Sequence, residues 1–257
     1  MSALGIEFPP ISHLIRWPDI WFEDTAFAMN KTTLIFFAAV IITLTIFFVA
    51  GSRAKLVPSG IQNVAESSVD FVRDGIIMQA IGPDGMRYLP LLLTMFFFIL
   101  FTNMFSIVPF IQFSGNARMA VPFLLALMVW LIYNIVGIVK QGPLHYLKNS
   151  TVPSGVPWPM LLLIVPIEFI SVFLVRPFSL AVRLFANMLA GHLILVTFAV
   201  LTASLIGGDL LLKFIFPFPF LLLIGLTGFE LLVAFLQAFI FTILTAVYIG
   251  SSMHPEH

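Results

Sequence analysis

Residues 160–206 read MLLLIVPIEFISVFLVRPFSLAVRLFANMLAGHLILVTFAVLTASLI. As one unbroken helix rising 1.5 Å per residue, this stretch would be roughly 70 Å long, twice the roughly 30 Å hydrocarbon core of a bilayer. After Gly207-Gly208-Asp209 a second apolar stretch runs over residues 210–250, with the same excess of length. Two readings are open. Each stretch holds two spans, or each is one long, steeply tilted helix. Pro166, Pro177, Pro217 and Pro219 allow kinks without requiring breaks, because neighbouring groups can satisfy the backbone that proline frees.

The rest of the chain agrees that the solvent is lipid. Of its 257 residues, 60% are hydrophobic and 9% charged, against about 25% charged in an average soluble domain. A soluble domain could not hide that much apolar surface. Disorder is excluded by the same figures. Lys plus Arg and Asp plus Glu are both 12, so there is no basic excess for a nucleic acid. Cysteine is absent, which removes disulfides and thiolate-bound metals. Glu7, Asp19, Glu23 and Asp24 precede the first apolar run and argue against a cleaved leader.

Residues 1–33 mix Phe8, Trp17, Trp21 and Phe22 with charges and read as an interfacial segment. Residues 34–257 form a single membrane domain. Spans are expected at 34–50, 89–111 and 122–139, followed by the two long stretches. Over 61–77, Ile61, Val64, Ala65, Val69, Val72 and Ile76 recur at helical spacing, and Glu66, Asp70 and Asp74 share the other side. That segment is too charged to span and reads as an amphipathic helix on the membrane surface. Residues 140–159 read as a polar loop. With one long helix per stretch, Arg53, Lys55, Arg73, Arg87, Lys140 and Lys148 fall on one side, and Arg16, Lys31, Arg118 and Lys213 on the other. Loop Lys/Arg excess then puts the first side in the cytoplasm.

Four charges lie inside the long apolar stretches: Glu168, Arg176, Arg183 and Glu230. Each costs at least about 2.5–3.5 kcal/mol near a bilayer centre, so such groups usually face protein or water and mark an ion path. At 100° per residue, Glu168, Arg176 and Arg183 share an arc of about 80°. Asn187 extends that stripe, and His192 lies on roughly the opposite face. Glu230 and Gln237, seven apart, share a face. Folding the two stretches as an antiparallel hairpin levels residues whose numbers have a constant sum. His192 with Glu230 gives 422 and Arg183 with Gln237 gives 420. Arginine stays protonated and relays no proton, whereas His and Glu can. A titratable chain divided by a fixed positive charge suits two offset half-channels.

The run Arg176-Pro-Phe-Ser-Leu-Ala-Val-Arg183-Leu-Phe-Ala-Asn187-Met-Leu-Ala-Gly191-His192 resembles the signature of subunit a of F-type ATP synthases. Leu236-Gln237-Ala238-Phe239-Ile240-Phe241 resembles that family's last helix, and Ile81-Gly82-Pro83 through Asn103 an earlier block. The resemblance implies an all-α integral membrane protein. Five helices cross the membrane beside one surface helix, and the last two are long, tilted and paired. It implies a stator beside a rotating c-ring, with stator b subunits and other membrane-sector subunits as partners and H+ as the transported ion. Arg183 would be the essential arginine facing the ring. His192 and Glu230 would lie on the outer half-channel, Glu168, Arg176 and Asn187 on the inner one, and Gln237 would support Arg183. No cofactor, metal or ATP site is implied, and the setting would be a bacterial plasma membrane, or alternatively a mitochondrial inner membrane. The outer loop departs from the family: Ser114-Gly115-Asn116-Ala117-Arg118 stands where many relatives carry acids, which leaves the outer entrance unassigned. A secondary transporter binding an anion at Arg183 is the alternative. An internal repeat would be expected of it, and none is evident.

Overall fold

The computed structural model describes residues 19–21, 29–52, 55, 57–108, 111, 114–152, 157–207 and 210–253. Two short strands, β1 (Asp19–Trp21) and β2 (Met29–Asn30), pair antiparallel. Helices α1 (Lys31–Ser52) and α2 (Ile61–Val72) follow, and α2 continues through a π-turn, Arg73–Ile77, into Met78–Ala80. A 3-10 turn, Pro83–Tyr88, leads into α3 (Leu89–Met104). Then come α4 (Ala120–Gln141), α5 (Pro143–Thr151) and α6 (Trp158–Ile170). A second π-turn, Ser171–Val175, joins α6 to α7 (Arg176–Gly207). Finally α8 (Leu210–Ile215) precedes α9 (Pro217–Met253).

Five helical segments are long and apolar enough to cross a membrane: Lys31–Ser52, Pro83–Met104, Ala120–Gln141, Trp158–Gly207 and Leu212–Met253. The first three have 22 residues each, about 33 Å of helix, which matches the hydrocarbon thickness. The last two have 50 and 42 residues, so the one-long-helix reading of each stretch is the correct one. Only 6% of the most apolar window in Trp158–Gly207 is buried by the rest of the chain. A helix that buries so little within its own chain needs lipid or a partner around it. Within these helices the hydroxyls close locally: Thr197, Thr202, Thr227, Thr242 and Thr245 each donate to the carbonyl four residues back, at 2.7–2.8 Å. No water is needed to satisfy them.

The chain divides into two compact units. One gathers residues 1–40, 98–118 and 185–237; the other gathers 41–97, 119–184 and 238–257. In the first, Ile35, Ala117 and Met188 form a buried core against Phe105, Ile111 and Val233. Lys31 Nζ donates to the Ile111 carbonyl at 2.6 Å. In the second, Phe71 of α2 packs on Phe96 and Phe239, with ring centroids 5.7 and 5.8 Å apart. Val72, Ile76 and Ile77 are fully buried there. Gly250 is obligatory in that unit, since a Cβ would stand 2.5 Å from the Ala80 carbonyl oxygen.

Two boundaries differ from expectation, and one segment is described only in part. The second span ends at Met104, not 111, because the Asn103 carbonyl is taken by the Ser106 amide and hydroxyl in a tight turn. The expected loop over 140–159 contains α5. Gly142, at φ 82°, ends α4, and Pro143 starts the next helix at once, each residue in its favoured position. The interfacial segment carries the short β1–β2 pair, and the rest of 1–28 lies outside the described residues. On α2, Arg73 grips Asp74 at 2.8 and 2.9 Å and Asp70 at 3.0 Å. That hydrogen bond holds the Asp74 carboxyl below the ordinary carboxylate range, though exposed pairs contribute little stability.

Candidate functional site

The seven residues singled out from sequence divide three and four between the units. Glu168, Arg176 and Arg183 belong to one, and Asn187, His192, Glu230 and Gln237 to the other.

In the latter unit α7 and α9 run antiparallel. Asn187 Nδ2 donates to Gln237 Oε1 at 2.7 Å. Gln237, expected to support Arg183, therefore has its carbonyl engaged one turn further along α7. Gly191 lies against Glu230, and a Cβ there would come within 3.2 Å of Oε1. This is the hairpin register expected from sequence, to within a turn. His192, Glu230 and Gln237 are all buried, with 6%, 4% and 2% exposure. Among the described residues neither Glu230 oxygen has a hydrogen-bond partner in good geometry. Ser106 flanks the carboxyl, but its hydroxyl donates to the Asn103 carbonyl at 2.7 Å. A buried carboxyl without donors is costly if it stays ionised.

The same unit holds polar residues to which the sequence assigned no role. Asn116 Nδ2 donates to Thr102 Oγ1 and Asn103 Oδ1, both at 2.8 Å. The Asn116 amide bonds Ser114 Oγ at 3.2 Å. All four residues are fully buried, and Asn103 Nδ2 and Asn116 Oδ1 retain unused capacity. Ser114 and Asn116 of the loop thus join Thr102 and Asn103 at the end of α3 in a neutral hydroxyl–amide cluster.

In the other unit, α6, the π-turn and α7 carry Glu168, Arg176 and Arg183. Arg183 is exposed, whereas Glu168 and Arg176 are half-buried. The Arg176 amide bonds the Ser171 carbonyl, five residues back instead of four. Such a turn takes in one extra residue and so withdraws about 100° of helical phase. The 80° arc assumed an unbroken helix. With the turn included, Glu168, Arg176 and Arg183 fall within about 40°. The Arg176 guanidinium lies 5.3 Å over the Tyr248 ring, a cation–π contact. No group of three or more His, Asp or Glu among the described residues could hold a metal ion.

Fold and site together define a class: an all-α integral membrane protein that carries ionisable groups within its longest apolar helices. The ATP synthase A chain family model matches residues 32–250, and the chain belongs to that family. Its relatives span nearly its full length. The ATP synthase subunit a of Rhodococcus erythropolis is 43% identical over 241 residues, covering 93% of this chain and 88% of the relative. That of Frankia alni is 43% identical over 248 residues, covering 94% and 84%. That of Hyphomonas neptunium is 37% identical over 256 residues, covering 100% and 99%.

Proposed function

We propose that this chain is the proton-translocating stator subunit of an F-type ATP synthase in a bacterial plasma membrane. It provides two offset half-channels beside a rotating ring of c subunits. The observation that carries the reading is Arg183, a permanent charge exposed on a long apolar helix, with the titratable groups divided between two units.

A proton enters from outside by way of the Asn116–Thr102–Asn103 cluster and Ser106, reaches Glu230 and His192, and neutralises a ring carboxylate. The neutral site can turn into lipid, where a charged one would be too costly. After nearly a full turn it reaches the inner half-channel, lined by Glu168 and Arg176, and loses its proton. Arg183 stabilises the re-ionised carboxylate and blocks direct passage between the half-channels. The Asn187–Gln237 pair lies one turn from Arg183 and supports that stretch of α7. Each proton contributes about 2.3 kcal/mol per 100 mV, which rotation carries to a separate catalytic head. The chain itself forms no ATP.

The ring, stator b subunits and other membrane-sector subunits are its partners. Mild detergent extraction of a tagged chain from native membranes is expected to recover an oligomeric ring of small hairpin proteins. A chain recovered alone, as a transporter would be, overturns the reading.

A further inference from the structure

The π-turn ahead of Arg176 has a cause in the sequence. Residue 177 is proline, which has no N–H and whose ring clashes with the carbonyl four residues back in a regular helix. Widening the turn relieves that clash. It also moves the Arg176 amide to the Ser171 carbonyl. The Val172 carbonyl would take the Arg176 amide in an α-turn, or the amide of residue 177 in a π-turn. The first is engaged and the second does not exist.

The donor comes from another helix. Tyr133 of α4 donates its hydroxyl to the Val172 carbonyl at 2.6 Å. Tyr133 and Val172 are buried, at 0% and 3% exposure. The Tyr133 ring meets Tyr248 edge-on at 5.8 Å, and Tyr248 in turn carries Arg176 on its face. One tyrosine thus satisfies the carbonyl that the widened turn orphans and touches the aromatic platform under Arg176.

We propose that Tyr133 is a positioning residue for the inner part of the path: its hydroxyl holds the Ser171–Val175 turn and so keeps Glu168 on the face of Arg176 and Arg183. The inference rests on the reading that these three line the outlet. Without the hydroxyl, the Val172 carbonyl is buried with no donor, a cost that works against the relief of the Pro177 clash and favours drawing the extra residue back into an α-turn. The segment before the turn then rotates by about 100°, Glu168 swings to the far side of Arg183 so that the three charges spread from about 40° to about 80°, and Phe169 takes the place Glu168 held.

The chain has no cysteine, so introduced thiols are its only ones. Ile170, Leu174 and Val175 are exposed and flank or lie within the turn. Residues five apart diverge by about 140° in an α-helix but by only about 50° in a π-turn. In the assembled complex, Ile170→Cys/Val175→Cys is treated with dibromobimane, which becomes fluorescent on bridging two thiols. Bridging is expected with Tyr133 in place and is lost in Tyr133→Phe. The Ile170→Cys/Leu174→Cys pair is bridged in both backgrounds. In the cysteine-free background, Tyr133→Phe lowers ATP-driven pumping about tenfold through displacement of Glu168.

Undiminished bridging of the Ile170→Cys/Val175→Cys pair in Tyr133→Phe overturns the proposal. Should that variant fail to assemble, Pro177→Ala is read instead. It restores the missing amide, so bridging is again lost, and bridging retained there overturns the account of the turn. Bridging is read whether or not protons move. Its outcome therefore separates failure of this inference from failure of the outlet reading.

Discussion

Arg183→Ala is expected to abolish ATP-driven proton pumping while the complex still assembles. The side chain is exposed on α7, so its removal opens no cavity in the core and assembly is retained. The role proposed for it is electrostatic. A guanidinium about 4 Å from a carboxylate stabilises the ionised form by about 4 kcal/mol at an effective dielectric of 20. That is close to a thousandfold in the population of the re-ionised carboxylate. Lysine is no equal substitute, because its charge is a compact point on a flexible stem and can be lost by deprotonation. The check is quenching of a pH-sensitive dye in inverted vesicles. Pumping at the native rate in Arg183→Ala would remove Arg183 from the mechanism.

Glu230→Leu is expected to reduce transport by about a hundredfold or more, the scale of a lost positioned proton-transfer group. The chain should still fold, because an apolar side chain suits a buried site that offers no donor to a carboxylate. Glu230→Asp keeps a titratable group on a shorter stem and retains part of the rate. His192, buried on the same unit, gives a smaller loss as His192→Leu. Initial rates measured against outer pH check both. An unchanged pH–rate profile in Glu230→Leu and His192→Leu would sink the inlet assignment.

Much of this architecture was legible in the sequence because lipid enforces simple rules. Residues 34–50 and 122–139 were recognisable as spans since every backbone group in hydrocarbon must close within its own helix. The antiparallel register of the last two helices followed from the few polar residues that such helices tolerate. What escaped was local. The π-turn is a one-residue insertion, invisible to any fixed 100° period, and Pro177 read as a kink rather than as the cause of a phase change. Gly142 and Pro143 looked like loop residues, although one ended a helix and the other began the next. The end of α3 depended on Asn103 and Ser106, which the hydropathy of 89–111 runs straight through.

The site was read the same way. Glu168, Arg176, Arg183 and Glu230 stood out because charge in an apolar run demands a reason. Tyr133 did not, because a single tyrosine in an apolar helix looks like packing; only its 2.6 Å bond to the Val172 carbonyl sets it apart. Asn116, Ser114, Thr102 and Asn103 were equally quiet. Neutral polar residues at the end of a span carry no net charge, so their convergence in space is what identifies them.

The most direct measurement concerns the face of α7 that bears Arg183. Ala186 and Ala190 lie near it along the helix and are exposed. Each is replaced by cysteine in turn, paired with a cysteine placed beside the membrane-buried carboxylate of the ring subunit, and the assembled complex is oxidised. The expected product is a disulfide between this chain and a single ring subunit, with rotation and pumping arrested until reduction. Complexes that hold the ring yet give no such product from either position would contradict the placement of Arg183 against it.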